Sequence, residues 1–106
     1  MTRRIAGILG LLALGAGPAF GWDKMAATEL AGHVVTYDGA HQSFAADGGT
    51  IYTAQNPSTG HWRDEGGRYC SVWPPSESWA CYGLERDGAR VRFVADDGSA
   101  TEGTID

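Results

Sequence analysis

The segment Tyr69-Cys-Ser-Val-Trp-Pro-Pro-Ser-Glu-Ser-Trp-Ala-Cys-Tyr82 holds the densest cluster of groups able to do chemistry: both cysteines, two Trp, two Tyr and two Pro. Two chemistries suit it. Its thiols can pair, and Cys-x10-Cys is neither the Cys-x-x-Cys of thioredoxin-like redox sites nor a zinc-knuckle spacing. A structural Cys70–Cys81 disulfide is therefore expected. Its rings can form a rigid tip that contacts a partner or a glycan, because Trp and Tyr bury much area at little entropy cost. Pro74-Pro75 would pre-order such a tip. The competing reading has Trp73 and Trp79 thicken a small core and cover the disulfide.

Gly60-His61-Trp62-Arg63 is a second candidate. At a cleft His61 would serve as a ligand or a base; otherwise the segment is a strand carrying an aromatic residue. His33, His41 and His61 form no His-x-His or His-x-x-x-His pair, so a metal site would need all three to converge through folding. Asp96-Asp97-Gly98-Ser99 followed by Glu102 offers oxygens to calcium without matching an EF-hand loop, and it reads better as a hairpin turn. No Gly-x-Ser-x-Gly, His-Glu-x-x-His, phosphate-binding glycine loop or Cys-x-x-Cys-His is present. The reading is of a protein without catalytic residues, cofactor or metal. A small hydrolase built on His61 and a nearby carboxylate is the enzymatic alternative.

The elements that must position these residues are short strands. Turn pairs recur about every ten residues, at Asp38-Gly39, Gly48-Gly49, Gly66-Gly67, Asp87-Gly88 and Asp97-Gly98. They separate strands expected near 33–37, 42–46, 49–54, 60–64, 67–73, 78–85, 89–95 and 99–105. Even spacing and tight turns favour an antiparallel up-and-down meander. A meander this long must curl to hide its edges, giving a small barrel or strongly curved sheet. A short N-terminal helix is expected over 23–32, capped by Asp23 and ended by Gly32.

Two hairpins can be registered in advance. Symmetric closure of the Trp-Pro-Pro-Ser-Glu-Ser-Trp segment sets Cys70 opposite Cys81, Tyr69 opposite Tyr82 and Val72 opposite Trp79. A two-residue turn at Asp87-Gly88 sets Glu85 opposite Arg90, Leu84 opposite Val91 and Tyr82 opposite Phe93.

Length and charge bound the function. A chain of 106 residues is one domain. Its formal charge of −5, with no basic run, argues against nucleic acid or an anionic membrane as partner. Residues 1–21 read as a cleavable signal peptide: Arg3-Arg4, an apolar stretch from Ile5 to Ala16 too short to span a bilayer comfortably, then Ala19-Phe20-Gly21. Residues 22–106 are then a single small β-rich domain, periplasmic or secreted, with no stable membrane span after signal cleavage. Cleavage removes two arginines and no acid, so the mature chain is more acidic still.

Glu29-Leu30-x-Gly32, the Asp-Gly turns, Gly60-His-Trp-Arg, Gly67-Arg-Tyr-Cys70 and Cys81-Tyr82 together resemble a group of small, uncharacterised exported proteins of alphaproteobacteria. The resemblance covers most of residues 28–95. It implies export, a disulfide and a β-rich fold, and it carries no activity. Gly66-Gly67-Arg68-Tyr69 is similar to part of the Ser-Gly-x-basic-Tyr loop of periplasmic inhibitors of C-type lysozyme, small disulfide-bonded β-barrels.

The expectation is a non-catalytic periplasmic binding or interaction module for a protein or cell-envelope component. Its candidate contact residues are Trp73, Trp79, Tyr69, Tyr82, Trp62 and Arg68. A lysozyme-inhibitor-like protein using the Gly66–Tyr69 loop is the alternative.

Overall fold

The turn residues set the architecture. In a computed structural model, which describes residues 21–106, Gly66 and Gly67 both take positive φ (64° and 92°) between the paired residues Glu65 and Arg68. Two successive left-handed residues are what a tight hairpin turn requires, and glycine adopts them without a Cβ clash. The signal-peptide expectation for residues 1–21 lies outside the described residues, save Gly21.

The strands are β1 (Asp23–Lys24), β2 (Val34–Tyr37), β3 (Ala40–Phe44), β4 (Gly49–Thr53), β5 (Pro57–Glu65), β6 (Arg68–Val72), β7 (Ala80–Asp87), β8 (Arg90–Val94) and β9 (Ala100–Ile105). From β2 to β9 each strand is antiparallel to the next, and β9 pairs back onto β2. The meander therefore closes into an eight-stranded barrel, which decides between the barrel and the curved sheet that the turn spacing left open. The closing seam is short: only Val35↔Ile105 and Thr36↔Thr104 are paired. Gly103 lets the strands approach there, since a Cβ at that position would lie 2.7 Å from Val35 Cγ1 and 2.8 Å from the Thr36 carbonyl. The last residue completes the seam: the Asp106 N–H donates to the Val34 carbonyl (3.1 Å), and the Val34 N–H donates to Asp106 Oδ1 (3.0 Å).

The N-terminal helix expected over 23–32 is absent. Asp23 and Lys24 form β1, which lies outside the barrel and pairs with Arg86 and Glu85 of β7. β6 covers only Ala80–Tyr82 on that edge, so the rest of the edge is open to β1. Beyond β1 the chain makes a single 3-10 turn, Ala27–Leu30. The physical reason is competition: an isolated ten-residue helix is marginal in water. Here tertiary partners take the backbone donors, with the Met25 N–H on the Leu84 carbonyl (2.9 Å) and the Ala27 N–H on the Gly67 carbonyl (3.1 Å). Met25, Ala27 and Leu30 are buried as a plug at one end of the barrel. They pack with a core of Val35, Phe44, Trp62, Leu84, Val91 and Ile105.

The β6–β7 register agrees with expectation at Cys70↔Cys81 and Tyr69↔Tyr82. The pairing stops at Ser71↔Ala80, so Val72 and Trp79 are not opposed. The β7–β8 register differs by two residues: Asp87 faces Arg90, Glu85 faces Arg92 and Leu84 faces Phe93. The turn is Gly88-Ala89 rather than Asp87-Gly88, with Gly88 (φ 61°) supplying the positive φ at the first central position. A shift of two preserves every side chain's face, so Leu84, Val91 and Phe93 remain inside.

Candidate functional site

The barrel is plugged at one end and open at the other. At the open end the inward positions of the strands leave a cavity of about 250 Å³ lined by Tyr37, Gln42, Tyr52, Tyr69, Ser71, Trp73, Tyr82, Phe93 and Thr101. All four tyrosines of the chain are in that lining, and no carboxylate, ammonium, guanidinium or imidazole is. Strand alternation accounts for the set, because every second residue of a barrel strand points inward.

The rings touch in sequence around the mouth. Trp73 meets Tyr52 edge-on (centroids 6.5 Å, 83°), Tyr52 meets Tyr37 (5.9 Å), and Tyr37 meets Phe93 (6.2 Å). Phe93 then meets Tyr69 edge-on (5.2 Å), and Tyr69 meets Tyr82 (6.2 Å). Such tilted and edge-on pairs suit the ring quadrupoles.

A polar seam crosses the floor beneath these rings. The Tyr37 hydroxyl donates to Gln42 Oε1 (2.8 Å), while Gln42 Nε2 donates to Thr50 Oγ1 (2.9 Å) and to the Tyr69 hydroxyl (3.1 Å). Thr50 Oγ1 in turn donates to the Ser43 carbonyl (2.7 Å). Gln42 is buried, and both of its amide hydrogens are used. On the far side Trp73 Nε1 donates to Ser71 Oγ (3.2 Å), and the Ser71 hydroxyl interacts with that of Tyr69. Burial pushes the Tyr37 phenol well above its ordinary value, with Tyr69 and Tyr52 adding to the rise. Burial also raises Tyr69, against the opposing effect of its hydrogen bonds to Ser71 and Gln42. Both phenols are neutral at physiological pH.

Trp73 owes its place to a glycine. A Cβ on Gly60 would stand 2.6 Å from Trp73 Cε3, 2.8 Å from Trp73 Cδ2 and 2.7 Å from the Val72 carbonyl oxygen. The bare backbone of β5 is thus the seat against which the indole lies.

The structure separates the residues of the aromatic segment. Trp73 turns into the mouth, where Tyr69 and Tyr82 already lie. Trp79 is on the outer surface, 37 % exposed, with the Arg63 guanidinium 3.8 Å from its ring centre. The Cys70–Cys81 disulfide is formed (S–S 2.06 Å). Alternation with the inward Tyr69 and Ser71 puts Cys70 on the outer side of β6. Trp62 is 7 % exposed, packs edge-on against Phe44 (5.8 Å) and donates Nε1–H to the Ala45 carbonyl (2.9 Å). It belongs to the core. Arg68 lies on the outer surface, donating to Asp96 Oδ1 (2.9 Å) and to the Cys81 carbonyl (3.1 Å). Of the Gly66–Tyr69 loop, Tyr69 faces the barrel interior and is buried.

The remaining candidates do not converge. His33, His41 and His61 are all exposed, and His33 Nδ1 lies 2.9 Å from the Asp106 carbonyl oxygen. Among the described residues the one grouping of metal-ligating types is Glu65 with Cys70 and Cys81, whose sulfurs are bonded to each other. The acidic turn satisfies itself: Asp97 Oδ1 accepts from the Ser99 N–H and hydroxyl, which lowers its pKa, and Glu102 pairs with Arg90. No helix among the described residues is long and apolar enough to cross a membrane.

Sequence reasoning found Trp73, Tyr69 and Tyr82 and missed Tyr37, Gln42, Tyr52, Ser71, Phe93 and Thr101. The available signal was the distribution of the tyrosines, one on each of β2, β4, β6 and β7, with no charged residue at the neighbouring inward positions of the mouth. Comparison with protein-family models, characterised proteins and solved structures gives no match.

Proposed function

We propose that this chain is a non-catalytic binding module of the periplasm or exterior, and that it takes its partner group into the open end of the barrel. The observation that carries the reading is the mouth: a concave, uncharged cavity with aromatic walls and a hydrogen-bonded floor. Small-ligand sites are mostly apolar hollows with a few placed polar groups, and barrel mouths are a common location for them. The export reading rests on the targeting segment and on the disulfide, which oxidising compartments favour.

A binding role also suits the chemistry of the lining. The two most buried phenols are held neutral, and no carboxylate or imidazole stands beside them to act as a general acid or base.

The test is an amide and indole NMR titration of the oxidised domain with fractionated envelope extract, separated into glycan, peptide and small-molecule pools. Shifts that cluster on the Trp73 indole and on the backbone of Tyr37, Tyr52 and Ser71 are expected. Shifts confined to the outer surface around Trp79 and Arg68 would relocate the site and end this proposal.

A further inference from the structure

The mouth has a second compartment. Tyr52 and Trp73 form one wall of the inner cavity and also line an adjoining recess of about 320 Å³, together with Ser58. The two rings stand at 83° to each other, so each presents a face or an edge to both hollows. The inner cavity, at about 250 Å³, is slightly below the roughly 300–1,000 Å³ of drug-sized sites, which is room for one ring and not for a long chain. A ligand that fills both hollows is therefore built of consecutive ring-sized units.

The lining restricts the chemistry of those units. A charged group would lose its hydration and meet no counter-ion, because nothing ionised lines the mouth. A saturated acyl chain would strip water from the hydroxyls of Tyr52, Tyr82 and Thr101 and offer them no hydrogen bond in return. The complement is a neutral ring with an apolar face and a hydroxyl-bearing edge.

Resting on the reading of the mouth as a binding site, we propose that it takes the terminal ring of a neutral saccharide chain, with the next ring in the outer recess. The terminal pyranose lays its C–H face on Trp73 and Tyr52. Its hydroxyls bond to the hydroxyls of Tyr82 and Thr101 and to the remaining lone pairs of Tyr69 and Ser71. The second ring sits against the other side of Tyr52, near Ser58.

The experiment is an NMR and fluorescence titration with six soluble probes. These are neutral tetrasaccharides of glucose and of N-acetylglucosamine, the corresponding single sugars, an acidic uronic-acid tetrasaccharide, and a neutral apolar aromatic compound. At least one neutral tetrasaccharide is expected to shift the Trp73 indole and to bind about tenfold or more tightly than its single sugar, with the affinity unchanged between low and high salt. Trp73→Ala and Tyr52→Ala should each weaken that binding about tenfold or more, and Trp79→Ala should leave it unchanged. Tyr52 is 37 % exposed, so its replacement reports on binding where the Trp73 variant also perturbs packing. Preference for the acidic chain, or binding of the aromatic compound alone at Trp73, would overturn the saccharide assignment and leave the mouth as a site. Failure of every probe to move any mouth resonance would overturn both.

Discussion

Replacement of Gly60 by alanine tests whether the mouth is built on the bare backbone of β5. The added Cβ would stand 2.6 Å from Trp73 Cε3 and 2.7 Å from the Val72 carbonyl oxygen. Non-bonded carbons are comfortable at about 3.5–4.0 Å, so the overlap with the indole is about 1 Å. The indole can pivot away, but the Val72 carbonyl is fixed in the wall of the barrel. Overpacking of this kind costs about 1–3 kcal/mol. Alanine also restricts the unfolded chain, which offsets about 0.4–1 kcal/mol. The expected loss is about 1–2 kcal/mol, or roughly 4–16 °C in Tm for a domain of this size. Gly83 is the control: a Cβ there meets nothing closer than the Val94 carbonyl oxygen at 3.8 Å. Gly83→Ala should be neutral or stabilising by about 0.5 kcal/mol. Urea unfolding followed by tryptophan emission measures both variants, and near-UV dichroism reports on the Trp73 environment. Adding Trp73→Ala to Gly60→Ala should recover part of the loss, since the indole contact is then gone and the carbonyl contact remains. The seat model is wrong if Gly60→Ala is as stable as Gly83→Ala with an unchanged Trp73 signal.

Removing the disulfide with Cys70→Ala/Cys81→Ala should cost about 3 kcal/mol from loop entropy, given the sequence separation of 11; a denaturation midpoint equal to that of the oxidised protein would contradict this. Trp62→Ala should cost about 3–5 kcal/mol as a core deletion, whereas Trp79→Ala should cost under about 1 kcal/mol, the size of an exposed cation–π contact. Stability should fall in alkali. Tyr37 and Tyr69 have folded pKa values above their ordinary value of 10.0, so the folded state keeps protons that the unfolded state releases. The stabilisation is complete below pH 10 and is lost as pH rises through the folded values, at about 1.4 kcal/mol per pH unit for Tyr37, with Tyr69 adding in the same direction. Tyr37→Phe should flatten that slope in urea titrations above pH 10, and an unchanged slope would remove Tyr37 from the account.

How much of this was legible beforehand depends on how local the controlling physics is. The strands of the barrel were visible because their turn pairs act over two residues, and Gly66-Gly67 demands a hairpin wherever it stands. The Cys70↔Cys81 register was visible because a disulfide across a short hairpin admits few alignments. Asp87-Gly88 against Gly88-Ala89 was ambiguous, because a glycine can take either central position of the turn. Residues 23–32 misled because their helical caps are local, while the open edge of β7 that captures β1 exists only in the folded barrel. The site was the least legible part. Gln42 is an ordinary strand glutamine with Tyr37 and Thr50 on the adjoining hairpins, until the curl of the barrel brings Tyr69 to its amide from three strands away.

The short β2–β9 seam has a kinetic consequence. Val35 and Thr36 must find Ile105 and Thr104 across almost the whole domain, so this pairing carries the largest loop-closure entropy of any in the barrel. It should zip last in folding and open first in native fluctuations, with the Thr36 and Thr104 amides, which face each other across the seam, exchanging with solvent well before those of β5 and β6. Tyr37 is the next residue on that strand, and Thr101 reaches the cavity from the other side of the seam. A ligand held between them would act as a clasp across the last joint to close. Its binding would then be read most sensitively as slowed exchange at a seam where the ligand itself makes no backbone contact.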